Sequence, residues 1–161
     1  MKVPRNKSCN YNFRSKLGTT IDKGRTREVY NIKDNPNYVI KFSSNPDTNR
    51  HEYNYYKEAT RNKLTAILNS IGEIISISKS GQYLVMEKLN NLPFGNHATQ
   101  CPEEITDRKR SNFGIDSDGI IKARDYDTRN GKTVSGKLTP VVFSQDEQDY
   151  LRGLLDDLNR L

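Results

Sequence analysis

The sequence predicts an α+β fold in which a five-stranded antiparallel sheet carries one helix and a strongly reduced second half follows. Three observations predict it. Strand-length runs of Val, Ile, Tyr and Phe alternate with Gly, Pro and Asn turn signals as far as residue 89. One longer segment after Pro46 places its apolar residues at helical spacing. Beyond residue 89 the composition turns to Asn, Pro, Gly and His, which favours connecting chain over buried elements.

Residues 1 to 15 read as an irregular lead-in. Lys16 to Ile21 and Glu28 to Ile32 read as strands flanking a turn at Gly24, and Asn35-Pro36-Asn37 turns into a third strand, Tyr38 to Phe42. Pro46 suits a first helical position with Asn45 as its cap, because the N–H that Pro lacks has no helical partner there. Tyr53, Tyr56, Thr60, Leu64, Ile67 and Leu68 keep the helical spacing, so one helix is expected from Pro46 into the sixties, its apolar side on the sheet. Glu73 to Ser78 and Gln82 to Glu87 flank Ser80-Gly81 and predict the hairpin that completes the sheet. Asn90 to Glu104 is expected to link two lobes, 1–89 and 90–161, of one structural unit. Phe113-Gly114-Ile115 and Ile120-Ile121-Lys122 enclose Asp116-Ser117-Asp118-Gly119, a further hairpin signal, and residues 128 to 143 read as loop. Ser144 is placed to cap a last helix with Asp146 and Glu147 in its first turn and Leu151, Leu154, Leu155, Leu158 and Leu161 as its buried stripe.

A chain of 161 residues supports one domain with a real core and is too short for two independent ones. No apolar stretch approaches the roughly 20 residues needed to cross a bilayer. Met1-Lys2-Val3-Pro4-Arg5 opens into polar sequence, so a cytoplasmic protein without a membrane partner is expected. Cys9 and Cys101, with only His51 and His97 beside them, support neither a zinc site nor a disulfide framework. A net charge of +6 and a pI near 9.3 invite a nucleic-acid reading through Lys23, Arg25, Arg27 and Arg108-Lys109-Arg110. Acidic residues are interspersed throughout, however, and that pattern favours solubility or nucleotide-phosphate binding over a nucleic-acid footprint.

Five segments carry chemistry. Asp22-Lys23-Gly24-Arg25-Thr26-Arg27-Glu28-Val29 sets Gly24 between two strands, which alone reads as a hairpin turn. Val39-Ile40-Lys41-Phe42 puts a cation in an apolar strand, where it is either an edge-strand guard against aggregation or a side chain with a buried task. Glu52 early in the following helix, with Glu58 as the alternative, is a carboxylate that would fix such a lysine. Tyr83 to Leu89 is an apolar strand leading into the linker. Asp107 and Asn112 have Asp-x-x-x-x-Asn spacing, and the Phe113–Lys122 hairpin and Asp125-Tyr126-Asp127 follow.

In this order the segments resemble protein kinases, most of all the small kinase-like proteins of phage or bacterial-effector type, over about residues 16 to 127. The resemblance implies a kinase-like fold with a reduced C-lobe, and ATP and Mg²⁺ as cofactors. By it, Gly24 and Val29 belong to the glycine-rich loop, Val39 and Lys41 to the third-strand lysine motif, Met86 to the gatekeeper position, and Glu87 and Leu89 to the adenine-binding hinge. Glu52 would fix Lys41, Asp107 would orient the acceptor hydroxyl, Lys109 would touch the γ-phosphate, and Asn112 and Asp125 would hold Mg²⁺. The implied activity is phosphoryl transfer to Ser or Thr of a host or partner protein. The chain departs from the family pattern at several points. Asp22 and Arg27 replace loop glycines, Ile105-Thr106 stands before Asp107 in place of His-Arg, and Asp127 replaces the last Gly of the metal motif. The span between Leu89 and Asp107 is too short for the long helix that normally carries the catalytic loop. These departures keep two alternatives open: an inactive pseudokinase that binds a protein, and a basic nucleic-acid-binding domain. Nothing in the sequence fixes the oligomeric state.

Overall fold

The computed structural model describes residues 3–127, 133–144 and 147–161, without the side chains of 147–151. Strands β1 (Leu17–Lys23), β2 (Arg27–Ile32), β3 (Asn35–Ser43), β4 (Ile74–Ile77) and β5 (Tyr83–Glu87) form one antiparallel sheet in the order β1-β2-β3-β5-β4. Because successive side chains of a strand turn to opposite faces, the middle strands divide their residues between two cores. Ile40 of β3 joins Tyr83 and Val85 of β5 on one face, where Phe13 of the short helix α1 (Asn10–Arg14) covers them. Val39, Leu84 and Met86 turn to the other face, against helix α2 (Pro46–Arg61). Lys41 falls in the alternation with Val39 and is buried between sheet and helix.

Helix α2 begins as its sequence dictates, with Pro46 in the first turn and Asn45 Oδ1 accepting the Asp47 N–H at 3.1 Å. Its buried positions, Asn49, Glu52, Tyr55 and Ala59, form one stripe that includes two polar side chains. The single helix expected into the sixties ends early. Lys63 takes a φ of +54°, the Leu64 N–H reaches back to Ala59 O at 2.9 Å, and the chain resumes as the one-turn helix α3 (Thr65–Leu68). Leu64, Ile67 and Leu68 still pack on the main core, so the periodicity was that of a broken helix.

Strands β7 (Phe113–Ile115) and β8 (Ile121–Ala123) form the expected second hairpin, with Asp116 Oδ1 accepting the N–H groups of Asp118 and Ile120 in its turn. Main-chain bonds tie it to the sheet's connections at both ends. Asn90 and Ile115 exchange N–H to O bonds of 3.0 and 2.8 Å. The Ala123 N–H donates to Ser70 O at 2.9 Å, and Ala123 O accepts from Gly72 N–H at 2.8 Å. Gly114 makes the approach possible, since a Cβ there would stand 2.6 Å from Leu89 Cβ and 2.8 Å from Asn90 O.

Four expectations need correction. The lead-in contains α1. The 90–104 linker and the 128–143 loop each contain a strand, β6 (His97–Pro102) and β9 (Leu138–Phe143), which pair antiparallel along their whole length. Cys101, Val141 and Phe143 on these strands enter the main core, while Pro140 and the polar residues between them disguise the strand pattern. The leucine stripe of the last helix, α4 (Glu147–Asn159), is not buried. Leu154, Leu155 and Leu158 are 43%, 60% and 64% exposed, because helical spacing makes an apolar face without supplying a partner for it. Asp146, the cap contact of Ser144 and the Leu151 side chain lie outside the described residues. Among the described residues no helix is long and apolar enough to cross a membrane.

Candidate functional site

A cleft of about 480 Å³ runs between the β1–β2 turn, the end of β5 and the foot of the β7–β8 hairpin. Its two ends differ chemically. Ile21, Val29, Val39, Met86 and Leu89 make one end apolar, whereas Arg27, Lys41, Lys109, Asn112, Asp125 and Asp127 line the other. An aromatic group and an anion joined together would match this division.

Beneath the charged end lies Glu52, fully buried on α2. Its carboxylate accepts from Lys41 Nζ at 3.1 Å, from Arg27 Nη1 at 2.7 Å and Nη2 at 3.3 Å, and from the Tyr126 N–H at 2.7 Å. Burial opposes its ionisation. The nearby guanidinium and ammonium charges, with the hydrogen bonds from Arg27 and Tyr126, outweigh that effect and hold the carboxyl at about 2. For Lys41, burial first and the neighbouring Arg27 second lower its pKa, against the pull of Glu52 and Asp125. Lys41 also donates to the main-chain carbonyl of Arg124. Glu58, the alternative partner, lies farther along α2 and is half-buried, with no bond to Lys41.

Arg27 joins this group to the hairpin. Its Nη2 lies 2.8 Å from Asp125 Oδ1 while Nη1 stays on Glu52, so one guanidinium connects the sheet, α2 and the segment after β8. Asp125 is positioned through its backbone as well: the N–H groups of Arg124 and Asp125 both donate to Asn112 O, at 2.9 and 3.3 Å. Asn112 in turn donates its amide nitrogen to Asp107 O at 3.0 Å, which leaves the amide oxygen as the atom it can offer to a cation. At the cleft mouth Asp127 pairs with His51 at 3.0 Å, and burial followed by Glu52 raises the Asp127 pKa.

The apolar end is closed by Arg124. Its Nη1 donates to Leu89 O at 3.2 Å, its Nη2 to Asn91 at 2.7 Å and its Nε to Ser111 O at 3.1 Å, which fixes the guanidinium against the chain leaving β5. The side chain of Glu87 is held by Lys122 Nζ at 2.9 Å, and the Lys88 and Asn90 N–H groups are bonded to Asn37 O and Ile115 O. Leu89, between them, lines the cleft.

The residues singled out in the sequence therefore distribute as follows. Gly24, Val29, Val39, Lys41, Met86, Glu87, Leu89, Lys109, Asn112 and Asp125 line one cleft, and Glu52 lies directly under Lys41. Asp107 is not among the lining residues. Its side chain is 44% exposed and 3.5 Å from Lys109 Nζ. Sequence reasoning missed the roles of Arg27 and Arg124. For Arg27 a signal existed, because it stands two residues before Val29 and shares its strand face. For Arg124 there was none, since its partners come from three separated segments.

Among the described residues no group of three His, Cys, Asp or Glu is arranged to hold a metal ion. A scan against protein-family models and a search of curated proteins found no match.

Proposed function

We propose that this protein is a minimal protein-kinase-like phosphotransferase that uses ATP and Mg²⁺ to phosphorylate Ser or Thr of a host or partner protein. One observation carries the reading. A buried lysine fixed by a helix glutamate meets an asparagine and an aspartate from the foot of a distant hairpin in one cleft, whose opposite end is apolar. These residue types suit the implied group. Asn112 and Asp125 offer the oxygen donors that a hard cation takes, and phosphate oxygens and water would complete its shell. Bound there, Mg²⁺–ATP supplies the phosphoryl group and the charge neutralisation that transfer needs.

The chain's own residues take the remaining tasks. Lys41 binds phosphate, Glu52 keeps Lys41 charged and aimed, and Val29, Val39 and Met86 exclude water from the base. Lys109 stands at the open side with Asp107, where an incoming hydroxyl would meet a carboxylate able to accept its proton. Three of the six basic residues named for a nucleic-acid reading are engaged within the chain, which weighs against that alternative. Arg27 is tied to Glu52 and Asp125, Arg108 to Pro102 O and Thr139, and Arg110 to Gly95 O. The exposed position of Asp107 favours a second reading, a nucleotide-binding pseudokinase.

Incubation with radiolabelled ATP and Mg²⁺, followed by mass-spectrometric mapping of phosphorylated Ser and Thr, separates the two. Transfer to itself or to a protein substrate supports the first. Nucleotide binding without any transfer would leave only the pseudokinase.

A further inference from the structure

Among the described residues that line the cleft, Lys41 and Arg27 are the strongly buried cations, and Arg27 is paired with a proposed metal ligand. It rises from the start of β2 on the face that carries Val29, so it belongs to the roof of the cleft, above the place where phosphates would lie. Its side chain is only 9% exposed, yet it lines the cavity. Both ends of its fork hold Glu52, Nη1 at 2.7 Å and Nη2 at 3.3 Å, and Nη2 alone also reaches Asp125, at 2.8 Å. Glu52 is fully buried and held by three groups, whereas Asp125 is 39% exposed and faces the same cleft. The Asp125 bond is thus the exchangeable one.

We propose that Arg27 is a second triphosphate-binding cation: nucleotide draws Nη2 off Asp125 while Nη1 stays on Glu52, and only then is Asp125 Oδ1 open to a divalent metal, so that both carboxylate oxygens can serve it. This rests on the nucleotide-site reading above and deepens it. A guanidinium suits the exchange, because its planar fork keeps one anion while trading another, and phosphate oxygens match the geometry of the carboxylate they displace. Lys41 meets the phosphates differently: neither of its partners, Glu52 and the Arg124 carbonyl, is a proposed metal ligand, so its binding of phosphate frees no carboxylate for a metal. Two consequences follow for binding. Nucleotide is held appreciably without metal, because a built-in cation meets the phosphates. Metal alone is held weakly, because Arg27 occupies its carboxylate.

Calorimetric titration of the full chain tests both, with ATP in chelator and with Mn²⁺ in the absence of nucleotide. R27Q should lose about tenfold or more in metal-free ATP affinity, the loss of one charge-assisted contact, and should bind Mn²⁺ alone more tightly than wild type. Because R27Q removes a counter-charge from Glu52, its melting curve is measured alongside. If it does not fold, R27K carries the test: a lysine keeps the charge but cannot hold both carboxylates, so the same two shifts are expected in smaller measure. A folded variant that matches wild type in both titrations overturns the proposal and leaves Arg27 a structural tie. Wild-type protein that takes no ATP, with or without Mg²⁺, overturns the nucleotide site itself and this inference with it.

Discussion

Glu52 accepts hydrogen bonds from Lys41, Arg27 and the Tyr126 N–H while fully buried, so it joins strand, helix and hairpin through one carboxylate. Glu52→Gln leaves two buried cations without their anion, and a loss of roughly 3–5 kcal/mol is expected in denaturant unfolding. Lys41→Ala and Asp125→Ala differ in kind. Each leaves Arg27 on Glu52, so the fold should survive in circular dichroism while phosphoryl transfer falls about 100-fold or more. The pH dependence follows from the same carboxylate. Its pKa is about 2 in the folded protein against an ordinary 4.5, so unfolded chain binds that proton more readily. Its contribution to stability is complete above pH 4.5 and is lost as pH falls toward 2, an amount on the order of 3 kcal/mol. Lys41 contributes with the same sign for another reason: burial and Arg27 lower its pKa, so folding becomes more favourable as pH rises from the folded value toward the ordinary 10.5. Urea unfolding across pH should therefore show an acid-side decline that Glu52→Gln reduces, leaving the smaller part due to carboxylates such as Asp116, whose pKa, against the effect of burial, is lowered by its turn N–H groups and Lys122.

The β7–β8 hairpin brings Asn112 and Asp125 to the cleft, and its seating depends on Gly114. A Cβ there would meet Leu89 and Asn90 O inside normal contact distance, so Gly114→Ala should cost about 1–3 kcal/mol and weaken ATP binding by displacing the chain at Leu89. Helix α4 predicts the opposite. Its described leucines are exposed, so Leu155→Ser and Leu158→Ser should change stability by no more than about 0.5 kcal/mol each. A larger loss in thermal melting would mean that this face is covered in solution. Strands β6 and β9 explain why so short a second half can still support the site. Their buried residues extend the main core, and Glu104 just beyond β6 accepts from Tyr55 of α2 at 3.2 Å.

Main-chain bonds from the hairpin to residues 70, 72 and 90 make the sheet and the second half mechanically continuous. One cooperative transition is expected, coincident by near-UV and far-UV circular dichroism. A ligand that bridges both parts stabilises the native state with the logarithm of its concentration over Kd, by about 2.7 kcal/mol at a hundredfold excess. ATP with Mg²⁺ should thus raise Tm clearly, and in Asp125→Ala the added Mg²⁺ should contribute nothing beyond ATP.

The sheet, its turns and the start of α2 were legible in the chain because their causes are local: strand-length apolar runs in β3 and β5, Gly81 and Gly119 at turns, Asn45 and Pro46 at the helix start. The site was legible wherever a residue type was out of place in its element, as with a lysine inside an apolar strand. β6 and β9 were hidden because each is a strand only by virtue of the other, about forty positions away in sequence. For the same reason the leucines of α4 announced a face but not its surroundings. Arg27 looked like a loop substitution until folding set Glu52 and Asp125 around it, since strand alternation could put it on the face of Val29 but an ion pair between distant segments does not name its partners in any one of them.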